Sequence, residues 1–323
     1  MNEVIQVEGL SKLYGKLVAV RRIHFAVERG EIFGLIGPDG AGKTTTFHIL
    51  AGVMEATAGQ MQILGKSPRD ARSFVGYLTQ QFSLYLDLSV EENLRYNAGL
   101  REVPDRLFQQ RRVKYLDLMD LARFSDRLAG RLSGGMKQKL ALCCALISQP
   151  QVLLLDEPTT GVDPVSRREF WDVLAAISAE GVTIVVATPY LDEAERCSRI
   201  ALMYEGEIQE IGTLTQLRDL LNLQRLELRT PNIEVAESLL TSSFNRQQAT
   251  NIADVQTFGD RLDVLVRDAA KGEAEVRDIF SREKLSLNSL QVAPPTLENI
   301  FVNRLKLAGE EPPFIAFPYQ KRQ

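Results

Sequence analysis

The stretch that decides the fold is EIFGLIGPDGAGKTTTFHIL, Glu31 to Leu50. EIFGLIG, Glu31 to Gly37, is an apolar run that ends in glycine, which predicts a buried strand stopping at a turn. Lys43 to Gly52 predicts a helix. Between them Gly37-Pro38-Asp39-Gly40-Ala41-Gly42-Lys43-Thr44 matches G-x-x-x-x-G-K-[ST] in the strand–loop–helix setting that this motif needs. Glycines let backbone N–H groups turn inward around phosphate oxygens, and the helix N-terminus adds partial positive charge. Lys43 can reach the β- and γ-phosphates of a nucleotide, and the Thr44 hydroxyl can hold Mg²⁺; Thr45 beside it joins the binding set. The plain alternative is a chance glycine-rich turn. Asp39 departs from the asparagine often found there, and a carboxylate near phosphates is unfavourable unless it points away. A dinucleotide loop is excluded, because the glycines do not form G-x-G-x-x-G and a lysine follows.

Working outward, VLLLDE (Val152–Glu157) and VTIVVAT (Val182–Thr188) are continuous apolar strands of the kind buried on both faces of a parallel sheet. Between them SRREFWDVLAAISAEG reads as an amphipathic helix, with Phe170, Leu174 and Ile177 on one face and Gly181 as its C-terminal stop. Strand, helix, strand of this type predicts an α/β core. Asp156 ends its strand and can bind Mg²⁺ through water. Glu157 next to it can polarise an attacking water. An apolar run ending in Asp-Glu usually means only a strand end, but paired with a phosphate loop it points to catalysis.

Composition bounds what else the chain can be. It has 323 residues, enough for two domains. Apolar residues make up 45% and charged residues 25%, the balance of a globular protein rather than a disordered chain. The net charge is −4, which argues against a chain that coats nucleic acid. The longest apolar run, LALCCALI (Leu140–Ile147), is far short of the ~20 residues of a membrane span. The N-terminus shows no secretory signal. Cys143, Cys144 and Cys197 lack C-x-x-C spacing and read as buried thiols in a reducing compartment. His24 and His48 are the only histidines, and neither sits in a setting that suggests a metal site or a triad.

Leu132 to Leu140, LSGGMKQKL, narrows the class. Ser133, Gly134 and Gly135 open what reads as an amphipathic helix, a second N-terminus suited to an anion, 23 residues before Asp156. A simple capped helix is the alternative, but it does not explain the company of two nucleotide motifs. On these three strings, residues 3 to 220 resemble the ATP-binding-cassette family. The resemblance implies an α/β P-loop nucleotide-binding cassette made of a RecA-like core, an antiparallel β subdomain and a helical subdomain near residues 85–150. It implies ATP and Mg²⁺ as ligands and a head-to-tail dimer. In that dimer Ser133, Gly134 and Gly135 contact the γ-phosphate of an ATP held on the partner's phosphate loop.

Other residues match family positions singly. Tyr14 in SKLYG matches the aromatic that stacks on adenine, with ordinary strand packing as its rival. Gln80 in GYLTQQ matches the glutamine that senses Mg²⁺ and the attacking water; Gln81 competes for the register. FSLYLDLSVEENL, with Phe82, Leu84, Tyr85 and Leu88, resembles the surface that receives a transmembrane subunit, or else is core. Asp163 in GVDP matches the loop that crosses the dimer interface. An N-cap role for the next helix is its rival, and the two roles are compatible. After VTIVVA the family has a Thr-His pair, where this chain reads Thr188-Pro189-Tyr190. Proline has neither imidazole nor backbone N–H. It cannot donate to a γ-phosphate or hold Glu157 and a water. The alternative is a tolerant strand-end turn with another side chain doing the work.

Past residue 220 the composition shifts. LQRLELR, IEVAESLLTSSF, ATNIADVQTF, RLDVLVRD, GEAEVRDIFSRE and LSLNSLQVA read in turn as β-α-β-β-α-β, with a hairpin at Gly259–Asp260. The expected organisation is a cassette over 1–220, an accessory α+β domain over 223–305, including a last helix begun after Pro295, and an extended proline-rich tail over 306–323. Together with YLDEAE and PTLENIFV, this pattern resembles the ATPase subunits of ABC-2-type exporters, most closely the first of paired cassettes in Gram-negative multidrug exporters. That resemblance implies a second ATP-binding cassette (the same chain or a different one), ABC-2-type transmembrane subunits, no nucleic acid, and a peripheral place on the cytoplasmic face of the inner membrane. Rivals are a ribosome- or DNA-associated cassette, a regulatory ATP-binding module, and an importer.

Overall fold

The computed structural model describes residues 2–81, 83–245 and 249–307. The chain divides into two compact units, one running to Ile211 and the other beginning at Gly212. In the first, the elements are β1 (Glu3–Tyr14), β2 (Leu17–Glu28), β3 (Ile32–Ile36), α1 (Lys43–Leu50), β4 (Ala58–Ile63), β5 (Val75–Leu78), α2 (Val90–Leu100), α3 (Asp105–Leu118), α4 (Gly134–Leu146), β6 (Val152–Asp156), α5 (Pro164–Ala179), β7 (Thr183–Thr188), α6 (Leu191–Ala194), β8 (Arg199–Tyr204) and β9 (Glu207–Gly212).

The central sheet has the order β5-β6-β7-β3-β8-β9. Its pairs from β5 to β8 are all parallel. Every residue of β3, β6 and β7 is buried, which is why these segments read as unbroken apolar runs rather than alternating ones. Parallel strands put their carboxyl ends at one edge. The phosphate loop leaves β3 there, and β7 lies between it and β6, with Thr188 opposite Ile36 and Ala187 opposite Asp156. A second, antiparallel sheet, β2-β1-β4, forms the β subdomain.

Helices α2, α3 and α4 form the helical part. The amphipathic reading of α4 is corrected. Its first turn is partly open, but from Leu140 to Cys144 every residue is buried. The reason is position: α4 packs against α2, α3, α5 and β5, so it has neighbours on all sides. Helix α5 keeps the expected apolar face, with Phe170, Leu174 and Ile177 buried, and Gly181 follows it at φ 94°.

The second unit contains α7 (Leu214–Leu221), β10 (Gln224–Arg229), α8 (Ile233–Asn245), β11 (Ile252–Phe258), β12 (Arg261–Val266), α9 (Ala269–Arg282), β13 (Ser289–Ala293) and α10 (Leu297–Leu307). The division at Gly212 gives α7 to this unit, where it contacts α10 and Arg218 donates to the Pro295 carbonyl at 3.1 Å. Its antiparallel sheet, β11-β12-β10-β13, is the split β-α-β sandwich order, with the hairpin turning at Gly259–Asp260. Strand alternation sends Leu226, Leu228, Val264 and Val266 to a core with Ala236, Leu240, Val276 and Phe280 from α8 and α9. The opposite face carries a buried polar group. Asp263, with no exposed surface, meets Arg225 Nη1 at 3.1 Å and Asn299 Nδ2 of α10 at 2.9 Å. The tail expectation lies, from residue 308 on, outside the described residues, as does Phe82; Lys306 and Leu307 still belong to α10. No helix among the described residues is long and apolar enough to cross a membrane.

Candidate functional site

At the carboxyl edge of the central sheet is a cleft of about 340 Å³, lined by Leu17, Val18 and Ala19 after the β1–β2 turn, by Asp39, Gly40, Gly42, Lys43, Thr44 and Thr45, and by Gln80 and Glu157. The loop keeps its shape through Gly42, which precedes α1 at φ 99° in the left-handed region. A Cβ there would also lie 2.5 Å from the Ala19 carbonyl oxygen. Pro38 and Ala41 close the turn by an Ala41 N–H to Pro38 carbonyl hydrogen bond of 3.2 Å. Asp39 is exposed.

Lys43 is buried and donates to the carbonyls of Gly37 and Pro38, each at 2.9 Å. Its ammonium lies 3.5 Å from Glu157 Oε1. Burial holds the Lys43 pKa below its ordinary value, while Glu157 and then Asp39 pull it back up. A cation held only by its own loop and one acid is poised to take anionic oxygen ligands.

Thr44 donates from Oγ1 to Asp156 Oδ1 at 3.2 Å. Asp156 has no exposed surface, and its other oxygen, Oδ2, is buried with no hydrogen-bond partner. Burial pushes its carboxyl up to about 6; the Thr44 hydrogen bond opposes this and the charge of Glu157 adds to it. An orphaned buried carboxylate oxygen beside a threonine hydroxyl fits Mg²⁺, which prefers one or two protein oxygens and fills its remaining positions with water and phosphate. The described residues hold no cluster of three His, Cys, Asp or Glu side chains, so the site does not resemble an all-protein cage.

Glu157 turns out of β6 at φ 49°, a conformation that non-glycine residues rarely hold without support. Its N–H donates to the Ala187 carbonyl at 2.9 Å. Gln80 Nε2 donates to its Oε2 at 3.0 Å and Thr160 Oγ1 to the same oxygen at 3.2 Å. The structure thus brings Gln80, rather than Gln81, to Glu157, and shows no bond from Gln80 to Thr44 or Asp156. Thr160 was not singled out from sequence, since a threonine in a loop carries no pattern of its own. Tyr77 was missed as well. Its buried hydroxyl faces Asp156, and its ring meets His48 edge-on at 6.3 Å.

The remaining expected residues lie elsewhere. Tyr14 is not in the cleft lining; its hydroxyl donates to Met54 Sδ at 3.0 Å and it remains substantially exposed. Ser133 caps α4, accepting from the Met136 N–H at 3.3 Å. Gly134 and Gly135 abut the loop before α5, and a Cβ on Gly135 would come within 2.7 Å of Ser166 Cβ. Asp163 caps α5, its Oδ1 accepting from Val165 N at 3.1 Å and Ser166 N at 2.9 Å. The Ser166 side chain first, and then the Ser166 and Val165 N–H groups, hold its carboxyl below the ordinary range. So Ser133, Gly134, Gly135 and Asp163 lie where the starts of α4 and α5 meet, and none of them lines the cleft of the same copy. Pro189 is buried directly after β7.

Residues 20–160 match the family model described as ABC transporter. The chain is 42% identical over 219 residues to "Probable multidrug ABC transporter ATP-binding protein YbhF" of Escherichia coli (strain K12), a match over 67% of this chain and 38% of that protein. It thus spans well under half the length of that relative. It is 32% identical over 314 residues to "Nod factor export ATP-binding protein I" of Ralstonia nicotianae, covering 95% of this chain and 94% of the relative. Among solved structures, one described as "Structure of ATP binding subunit of ABC transporter" superposes with a TM-score of 0.62 at 30% identity, over 68% of this chain and 93% of that one. Likeness of this extent, running through nearly the whole of a curated relative, means that the chain belongs to the ABC transporter family, among its ATP-binding subunits.

Proposed function

We propose that this chain binds magnesium-ATP and hydrolyses it as one cassette of a pair that powers an ABC-2-type exporter on the cytoplasmic face of the inner membrane. The observation that carries the reading is the convergence of Lys43, Thr44, Asp156, Glu157 and Gln80 at one sheet edge. Lys43 exchanges its donations to Gly37 and Pro38 for phosphate oxygens. Thr44 and Asp156 hold Mg²⁺, which supplies charge neutralisation at the phosphate oxygens when bound. Glu157, steadied at Oε2 by Gln80 and Thr160, orients water. Ser133, Gly134, Gly135 and Asp163 are not among the residues that line this cleft, and they serve the ATP of a second cassette. The names of the two relatives, one a multidrug transporter subunit and one a Nod factor export subunit, support export over import, and the transmembrane subunits supply the pathway.

Pro189 sets the rate. With no side-chain or backbone donor at this position, one transition-state hydrogen bond is absent, a loss worth ~10²–10³ in rate by analogy with an oxyanion-hole donor. Own-site hydrolysis is therefore slow, and the chain contributes most by completing the site of a histidine-bearing partner. The test is ATPase activity of the purified chain, alone and as Pro189→His. Slow turnover that rises in the variant is expected. Brisk turnover by the unmodified chain, abolished by Glu157→Gln, removes the asymmetric reading. Pro189 also favours a second reading, a regulatory module that binds ATP without turnover; ATP uptake with no hydrolysis even in Pro189→His supports it.

A further inference from the structure

One fully buried carboxylate lies outside the roles described above. Glu193, in α6, is 1% exposed. Its Oε1 accepts a short hydrogen bond from Thr159 Oγ1, and its Oε2 accepts from Thr188 Oγ1 at 2.7 Å. Arg167 Nε lies 3.5 Å from Oε1, and the same guanidinium reaches Asp192 at 3.7 Å and covers the Tyr190 ring at 4.4 Å. Thr188 Oγ1 in turn accepts the Tyr190 N–H at 3.1 Å, so the backbone reconnects immediately past the proline that has no N–H to give.

A carboxylate taken out of water costs several kcal/mol unless its oxygens are satisfied. Burial indeed raises the Glu193 carboxyl, while Thr159, Thr188 and Arg167 oppose it. Packing alone would be served as well by a leucine. What distinguishes this group is the choice of partners. Thr159 is two residues beyond Glu157. Thr188 ends β7, the strand between the phosphate loop and Asp156. Arg167 sits on α5, the helix capped by Asp163. Both oxygens are thus used to tie the Glu157–Asp163 loop to the strand end. Glu157 itself, at φ 49°, has a backbone that stays in place only where its surroundings over-determine it.

We propose that Glu193 is a positioning residue for hydrolysis: through Thr159 and Thr188 it fixes the loop that carries Glu157, giving the support that the side chain at position 189 does not. This rests on the ATPase reading of the cleft. The test uses the full chain and magnesium-ATP, with equilibrium dialysis for uptake and single-turnover hydrolysis with protein in excess. Thr159→Val, Thr159→Ser and Glu193→Gln are compared with the unmodified chain. Thr159→Val and Glu193→Gln are expected to hydrolyse about 10–100-fold more slowly with unchanged ATP affinity, the scale of loss that misplacement of a reacting group brings. Thr159→Ser, which keeps the hydroxyl, restores the rate. If Glu193→Gln does not fold, the Val and Ser pair at 159 decides. Unchanged rates, loss of rate and affinity in parallel, or ATP uptake with no hydrolysis by the unmodified chain would each overturn the positioning role. No ATP uptake by the unmodified chain overturns the nucleotide reading itself, which keeps the two failures apart.

Discussion

Two residues of the candidate site carry the clearest expectations. Among the described residues Lys43 is the one cation in the cleft lining, so Lys43→Ala should reduce ATP uptake by an order of magnitude or more in equilibrium dialysis. It also leaves Glu157 without its charge partner 3.5 Å away. Asp156 has a proton affinity that burial raises from the ordinary 3.8 to about 6. The folded chain therefore binds that proton more tightly than the unfolded chain. The resulting stabilisation is complete below about pH 4 and is lost as pH rises through about 6. In magnesium-free buffer at neutral pH, Asp156→Asn should be more stable than the unmodified chain by about 3 kcal/mol in urea unfolding, and the difference should vanish in acid. Both residues were legible from their motifs. Thr160 and Glu193 were not, because what selects them is a hydrogen bond across the fold rather than a spacing along the chain.

At the scale of elements, the N-terminus of α4 and the loop before α5 act as one surface. Gly135 has no room for a side chain, with Ser166 Cβ 2.7 Å from where its own Cβ would be. Gly135→Ala should cost about 1–3 kcal/mol by overpacking, seen as a lower melting temperature. Ser133→Ala removes the α4 cap and should cost about 1 kcal/mol. A far larger effect of either on a partner cassette's ATPase than on the chain's own ATP uptake is what the paired-cassette reading expects. The serine cap was visible in LSGG; the burial of α4 on all sides was not. A helix with Lys137, Gln138 and Lys139 in its first turns reads as amphipathic, and only its neighbours α2, α3, α5 and β5 reveal that its second half is core.

Over the whole molecule, each of the two units has its own core, and the second holds a charged group within it. Arg225 and Asp263 are both buried and paired at 3.1 Å, with Asn299 of α10 completing the contact. Arg225→Met leaves Asp263 with Arg261 as its remaining counter-charge, Nε at 3.4 Å from Oδ1, and should cost about 1–3 kcal/mol in denaturant unfolding, with faster hydrogen exchange in β10 and β12. The β-α-β-β-α-β order of this unit was readable because strand and helix periods and a Gly-Asp turn are local. Its polar face was not, because Arg225, Asp263 and Asn299 belong to three distant segments. The same division holds for the chain in full. By itself the sequence determined the α/β class, the phosphate loop, the acid pair and the capped Ser-Gly-Gly helix, since each is a short string whose backbone requirements are local. Only the tertiary structure decided that Gln80 and Thr160 meet one oxygen of Glu157, that Ser133 and Asp163 cap helices outside the cleft lining of their own copy, and that Glu193 ties the loop after Glu157 to the end of β7. Parallel strand order decides which distant loops become neighbours, and no spacing along the chain encodes that order.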